Sequence, residues 1–380
     1  MSGVTYSRDE WLRVSLGDVC EFAYGKSLPA KSRSGAGFAV FGSNGEVGRH
    51  ETATTSGPTI IVGRKGSFGE IHYSQEACSP IDTTYYITAK QTDCYLPWLT
   101  RILRTLGLNK LNRAAAIPGL NREDAYRQRL LLPPLPEQKR IARILDAADA
   151  LRAKRRESIA QLDALVQATF LEMFSRYEPK RSVQSLLDSG QLSLHKDGNH
   201  GSKYPRAKEF VPHGVPFISA KCLEDDGSWS ESKLQYLSTE RANDMTIGWI
   251  EGGDVLLAHN ASVGKTGLYR GEFGKALIGT SLTCFRPDNT QLRSEYLFAA
   301  LRSGDFQQQL FSNMGQTTRN QVPITAQRRL TIPVPPVSDQ QVFAERMLAI
   351  DEQAQRLSCQ SLQLDALFAS LQSRAFAGEL

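Results

Sequence analysis

Leu132-Pro133-Pro134-Leu135-Pro136-Glu137-Gln138 and Val334-Pro335-Pro336-Val337-Ser338-Asp339-Gln340 are two versions of one phrase, 202 residues apart. The register continues beyond it. Leu162-Asp163-Ala164-Leu165 returns unchanged as Leu364-Asp365-Ala366-Leu367, and Phe174 returns as Phe376. Three matches in one gap-free register mark an internal tandem repeat.

Each phrase opens a long helix. Proline fits a helix only in its first turn or in the chain before it, and no proline follows Ser338. Ser338 or Asp339 is the expected N-cap of the second copy. Its apolar positions, Phe343, Met347, Ile350, Ala354, Leu357, Leu364, Phe368 and Leu371, step by four and three, with Ser361 the one polar member of the seam. The first copy reads Ile141, Leu145, Ala148, Ile159, Leu162 and Val166, and Arg152 and Arg155 interrupt it. At roughly 35–40 residues each helix runs about 50–60 Å. A single apolar stripe needs a partner, and each copy offers one to the other. Residues 135–180 carry 9 basic and 7 acidic side chains and residues 335–380 carry 3 and 6, so the charges agree weakly with pairing.

Two globular segments precede the helices. They share little sequence but the same order of signals. Thr59-Ile60-Ile61-Val62-Gly63 reads as a buried strand and leads into Arg64-Lys65-Gly66-Ser67-Phe68-Gly69; Val255-Leu256-Leu257-Ala258 leads into His259-Asn260-Ala261-Ser262-Val263-Gly264-Lys265. Thr83–Thr88 and Ser281–Phe285 read as later strands, and Trp98–Leu108 and Glu295–Phe311 as helices. Polar turns close both segments, Pro118-Gly119-Leu120-Asn121-Arg122 and Thr317-Thr318-Arg319-Asn320-Gln321. The expected fold is α+β. Two α/β-type domains, 1–132 and 179–333, alternate with helical spacers, 133–178 and 334–380, that form an antiparallel coiled coil with a pseudo-two-fold repeat.

Composition narrows the function. The chain has 380 residues, 41% hydrophobic and 22% charged, an ordinary globular balance for two or more domains. No apolar run approaches the ~20 residues that span a bilayer, and the polar start lacks the order of a signal peptide. Six scattered cysteines without a Cys-x-x-Cys pair indicate a cytoplasmic protein with reduced thiols. A net charge of +5 permits nucleic-acid binding without requiring it. The excess lies outside the helical blocks, where 33 basic residues face 27 acidic ones.

Several catalytic motifs are approached and missed. Gly264-Lys265-Thr266 resembles the end of a phosphate loop, but His259 stands where that loop needs glycine. Asp226 with Glu231-Ser232-Lys233 lies in one polar loop, without carboxylates converging from adjacent strands. His195-Lys196-Asp197-Gly198-Asn199-His200 fits no zinc spacing and reads as a loop near nucleic acid. No Asp-Pro-Pro-Tyr or Asn-Pro-Pro-Phe tetrapeptide and no Gly-x-Ser-x-Gly elbow occurs. The expectation is therefore a non-catalytic chain with no cofactor and no metal. The basic run Arg152-Ala153-Lys154-Arg155-Arg156 is a solvated helix face or a contact for phosphates or an acidic partner.

The residues 132–142 resemble the first conserved region of type I restriction–modification specificity subunits. The Leu-Asp-Ala-Leu stretches and the closing Ala375-Phe376-Ala377-Gly378-Glu379-Leu380 are similar to that family too. So are Asp197-Gly198-Asn199-His200 and Gly214-Val215-Pro216-Phe217-Ile218. The resemblance implies two target-recognition domains, each reading half of a split, asymmetric site in double-stranded DNA. It also implies a helical spacer that docks two copies of a modification subunit, an adenine methyltransferase. Whether an ATP-driven restriction subunit accompanies them is left open. Polar, glycine-rich turns after strands let long side chains reach a groove. The expected DNA contacts are Arg64 and Lys65 in the first domain, and Asn260, Lys265 and Arg319 in the second. A coiled-coil scaffold that never touches DNA, or a nuclease or methyltransferase with fused recognition domains, are the competing readings.

Overall fold

Both proline phrases open long helices, α3 (Leu135–Phe174) and α9 (Val337–Ala377), of 40 and 41 residues. The structure is a computed structural model that describes residues 8–111, 119–199, 201, 204–314 and 320–380. The chain divides into two units, residues 1–154 with 361–380, and residues 155–360. Each unit therefore holds one half of each long helix.

In the first unit β1 (Leu12–Ser15) pairs antiparallel with β9 (Arg129–Leu132). A four-stranded sheet runs β2 (Ala23–Tyr24), β8 (Thr84–Ile87), β5 (Thr59–Gly63), β6 (Ile71–Ser74). A three-stranded sheet runs β4 (Gly45–His50), β3 (Phe38–Gly42), β7 (Cys78–Pro80). Helices α1 (Leu96–Thr105) and α2 (Arg122–Tyr126) complete the domain. Asn121 caps α2, its side-chain oxygen accepting from the backbone N–H of Glu123 at 2.8 Å.

The second unit repeats the plan. Strands β10 (Lys180–Ser182) and β20 (Thr331–Pro333) make the end pair. The four-stranded sheet runs β11 (Leu192–Asp197), β19 (Leu282–Pro287), β16 (Val255–Ala258), β17 (Thr266–Leu268), in the order of its counterpart. The remaining sheet has grown to five strands, β12 (Phe210–Val211), β14 (Gln235–Leu237), β13 (Val215–Ile218), β18 (Ala276–Ile278), β15 (Trp249–Ile250). Its helices are α4 (Val183–Asp188), α5 (Thr239–Asn243), α6 (Ser294–Arg302), α7 (Gly304–Ser312) and α8 (Ile324–Gln327). The expected single helix over Glu295–Phe311 is two. Ser303 breaks it, donating its hydroxyl to the Ala300 carbonyl at 2.7 Å and capping α7 by accepting from Phe306 N–H at 3.3 Å. Strands β5 and β16, read from the sequence as apolar runs, are buried along their whole length.

The apolar seam predicted for the helices is real. In the first unit Ile141 and Leu145 of α3 and Ala375 of α9 join one core with Trp98, Leu99 and Phe22. In the second, Phe170 and Phe174 of α3 meet Phe343 of α9 and Tyr296 of α6, with ring centroids 5.0 Å apart for Phe174 and Tyr296. The long helices run antiparallel within each unit. Arg140 donates to the Leu380 carbonyl at 2.9 Å, and Arg152 donates to Asp365 at 2.5 Å. Arg152 does not interrupt the seam as expected. Its guanidinium lies 4.4 Å from the Phe368 ring centre and also bonds Asp149 at 2.8 Å, so ring face and carboxylates satisfy the charge inside the pair. The two repeated aspartates have parallel tasks: Asp365 takes Arg152, and Asp163 takes both terminal nitrogens of Arg302 at 2.7 and 2.9 Å.

Neither Ser338 nor Asp339 caps α9. The helix begins at Val337, because the Pro336 carbonyl already accepts from Asp339 and Gln340 N–H. Pro134 does the same for Glu137 and Gln138. The matched glutamines then join helix to domain. Gln138 accepts from Tyr95 N–H at 2.8 Å and donates to the Pro133 carbonyl at 2.9 Å. Gln340 accepts from Arg293 N–H at 2.8 Å and donates to the Pro335 carbonyl at 2.8 Å. Tyr95 and Arg293 are the N-cap residues of α1 and α6. Each glutamine is buried. Replacing either by alanine strips a partner from two backbone groups in the interior and is expected to cost about 1–3 kcal/mol. Chemical denaturation of Gln138→Ala and Gln340→Ala checks this, and unchanged midpoints would contradict it.

Candidate nucleic-acid interface

The loops that follow β5 and β16 share one backbone design. In the first, Gly63 N–H donates to Glu70 O and Gly69 N–H returns to Gly63 O, both at 2.8 Å. In the second, Ala258 N–H donates to Lys265 O at 2.7 Å and Gly264 N–H to Ala258 O at 2.9 Å. Arg64 N–H bonds Thr83 O and receives Leu120 N–H on its own carbonyl; His259 N–H bonds Ser281 O and receives Val322 N–H. Lys65 bridges Gly119 as Asn260 bridges Gln321. Residues 63–71 thus correspond to 258–266, Arg64 standing where His259 does and Lys65 where Asn260 does. The tip is left-handed in both: Gly66 has φ 72° and Ala261 φ 63°, a conformation free to glycine and strained for alanine.

Loops closed by the same backbone hydrogen bonds carry different side chains. Arg64 donates to the Asp82 carbonyl at 3.2 Å and lies 4.9 Å from the ring centre of Tyr24, which is half exposed. Arg122 approaches the same ring to 5.6 Å and that of Tyr126 to 5.8 Å. Tyr126 is fixed in turn, its hydroxyl oxygen accepting from Phe22 N–H at 2.7 Å. Lys65 is exposed beside Arg64. In the second loop Asn260 is half-buried, and Lys265 holds Asp225 at 3.0 Å and the Leu223 carbonyl at 3.1 Å. The structure thus brings Arg64 with Lys65, and Asn260 with Lys265, onto equivalent loops. Arg319 lies outside the described residues.

A buried polar network underlies the second loop. Thr283 donates to Asp197 at 2.7 Å, with His259 Nδ1 2.9 Å from the same hydroxyl. Gln327 donates to Thr283 at 3.1 Å and faces His195 Nε2 at 3.2 Å. His195 therefore belongs to strand β11 and the core, not to the loop expected from its sequence neighbours. Burial pushes its imidazole down to about 4 and lowers His259 as well.

The rejected motifs stay rejected on geometry. Gly264 and Lys265 N–H are spent on Ala258 O and Ser262 O, leaving no phosphate cradle. Asp226 bonds Ser228 N–H within its turn, and Lys233 pairs with Glu224. Among the described residues no cluster of His, Cys, Asp or Glu could hold a metal ion, and no helix is long and apolar enough to cross a membrane. Tyr24 and Arg122 were missed by reading the sequence. Arg122 ends a polar turn already marked there, but nothing tied it to Tyr24.

Two loop-bearing domains of one design, each joined to a repeated helix, define a double-headed recognition scaffold. Comparison with known proteins agrees: the chain belongs to the family described as Type I restriction modification DNA specificity domain, which matches it twice, over residues 8–162 and 198–363. It is a DNA sequence-specificity subunit of a type I restriction–modification complex and not itself a catalyst. The Type I restriction enzyme MjaVIII specificity subunit of Methanocaldococcus jannaschii is 22% identical over 308 residues, 77% of this chain and 69% of that protein. The S subunit of a type I restriction-modification system from M. genitalium has a similar fold, with 16% identity, a TM-score of 0.57 and 96% of both chains covered. So has a chain from a type I R-M system solved to explain complex assembly and conformational transition, at 19% identity and a TM-score of 0.54, covering 99% of this chain and 100% of that one.

The histidine network makes stability depend on pH. An unfolded imidazole takes its proton near 6.5, whereas folded His195 takes it at about 4. Stability is complete above pH 6.5 and falls as pH drops towards 4, because the unfolded chain then binds more protons. Between pH 7.5 and 5 the loss is expected to be about 2 kcal/mol from this group, with His259 adding in the same direction. Urea unfolding at both pH values checks it, and His195→Gln should flatten the slope. An equal slope in wild type and variant would contradict the assignment.

Proposed function

We propose that the chain reads a split, asymmetric site in double-stranded DNA, one half with each domain. The observation that carries this reading is the pair of equivalent loops. One backbone frame carries Arg64 and Lys65 in the first domain and, with His259 turned into the core, Asn260 and Lys265 in the second. A shared frame with different side chains suits half-sites of different sequence. Specificity requires side chains on base edges, whereas phosphate contacts only set register. The functional segments are residues 1–132 and 179–333 as reading domains, and 133–178 and 334–380 as spacers. Arg64, Lys65, Asn260, Lys265 and Arg319 are the proposed contacts, Lys265 reaching a phosphate by releasing Asp225.

The antiparallel helices hold the half-sites apart, about one turn of duplex suiting a reader that works from one face. Their repeated surfaces dock two copies of an adenine-methylating modification subunit, and restriction subunits join that assembly. The complex works in the cytoplasm, where its DNA lies. The single-domain variants Arg64→Ala and Lys265→Ala test the contacts, read by binding and by sequencing of methylated sites. Loss of a base-reading arginine is expected to cost about 1–3 kcal/mol and to relax one position of the first half-site. If both variants keep wild-type affinity and pattern, these loops do not read DNA.

A further inference from the structure

The correspondence between the domains extends past the loops to the strands beside them. β2 pairs with β8 so that Tyr24 faces Tyr85; β11 pairs with β19 so that Asp197 faces Thr283. One residue on, the chain crosses a neighbouring backbone at Gly25 in the first domain and Gly198 in the second. A Cβ would stand 2.0 Å from the Ile81 carbonyl oxygen in the one and 2.3 Å from that of Gly279 in the other. Lys26 then bridges Ile81, and Asn199 bridges Gly279. The backbone at Tyr24 and Asp197 is therefore held in the same way, with no room to shift when the side chain changes.

The chemistry placed on this frame is opposite in sign. In the first domain it is cationic and aromatic: Arg64 and Arg122 flank the exposed Tyr24 ring, and among the described residues Arg122's one carboxylate neighbour, Glu123, is 3.9 Å away. Ring faces orient guanidinium planes and leave their edges for a planar acceptor pair. In the second domain Asp197 takes the Thr283 hydroxyl on Oδ1, and its Oδ2 has no partner among the described residues. Its side chain keeps 27% of its surface in solvent. A carboxylate beside a duplex is repelled by phosphates, so it gains nothing as a backbone contact. It gains from an exocyclic amino group.

We infer that this strand position centres the base-reading patch of both domains, which use opposite hydrogen-bonding polarity. In the first domain Arg122, with Arg64, donates to the O6 and N7 acceptors of a guanine; in the second Asp197 accepts from the amino group of a cytosine or adenine. Tyr24 is the positioning residue that holds the guanidiniums. The inference rests on the reading of the chain as a two-half-site DNA reader, and adds residues and base classes to it.

The test is methylation of a randomised-sequence duplex library by the full chain assembled with its modification subunit and S-adenosylmethionine, read by sequencing. Arg122→Gln is expected to lose preference roughly ten- to a hundredfold at one guanine of the first half-site and to leave the second half-site unchanged. Asp197→Asn keeps the Thr283 hydrogen bond and the shape, and should lose preference by a similar factor at one cytosine or adenine of the second half-site only. Asp197→Glu serves as a second variant should the asparagine disturb folding, with the thermal midpoint of each protein recorded. Uniform loss across all sequences, or an unchanged pattern, in the folded variants overturns the inference. The broader reading fails differently: Arg64→Ala and Lys265→Ala would then be silent as well.

Discussion

The rest of the structure depends on how firmly each long helix is fixed to its domain, and a buried glutamine ties each one at its entry. Gln138 and Gln340 each hold the N-cap residue of a domain helix and a proline carbonyl at the helix entry. A glutamine amide offers both donor and acceptor in one plane, and a buried amide with both ends satisfied has one orientation. Charged pairs brace the joint further along. Arg101 of α1 bonds Asp146 and Asp149 at 2.6 and 2.7 Å, and Arg302 of α6 bonds Asp163. Such arginines are largely buried and bidentate or doubly paired, so they are worth more than exposed ion pairs. These contacts resist rotation of a domain about its helix, as the proposed reading of two half-sites in register requires.

On that fixed frame the reading surface is free to differ. The same hydrogen bonds close both loops, the same sheet order carries them, and a glycine is forced at the same crossing. Side chains at the equivalent places are unrelated. Tyr24, Tyr85 and Arg64 in the first domain stand where Asp197, Thr283 and His259 stand in the second. The backbone frame is common to both domains, and the side chains on it differ. Ala261, strained where the first domain has Gly66, shows that the frame persists even where the residue does not favour it.

The helical repeat was legible because its register has no gap and its seam follows heptads. The buried strands Thr59–Gly63 and Val255–Ala258 were legible because apolar runs between glycine-rich turns have few alternatives. The repeat between the reading domains was legible only as a shared order of signals; its residue-by-residue match was not, since the side chains differ and one sheet is enlarged to five strands in one domain only. Tyr24 and Arg122 meet through the turn at Asn121, far apart in sequence, and no local pattern announces it. The pairing of Lys265 with Asp225 was not legible because the two lie on different loops. The helix start was misplaced by two or three residues because a proline carbonyl did the work expected of a serine or aspartate side chain.

We propose that the paired helices act as a ruler between two readers. Inserting one heptad, about 10 Å of helix, at matched positions in α3 and α9 measures this directly when methylated sites are sequenced. The expected result is two unchanged half-sites moved apart by about three base pairs. A folded, active variant that still methylates sites of the original spacing would contradict the ruler.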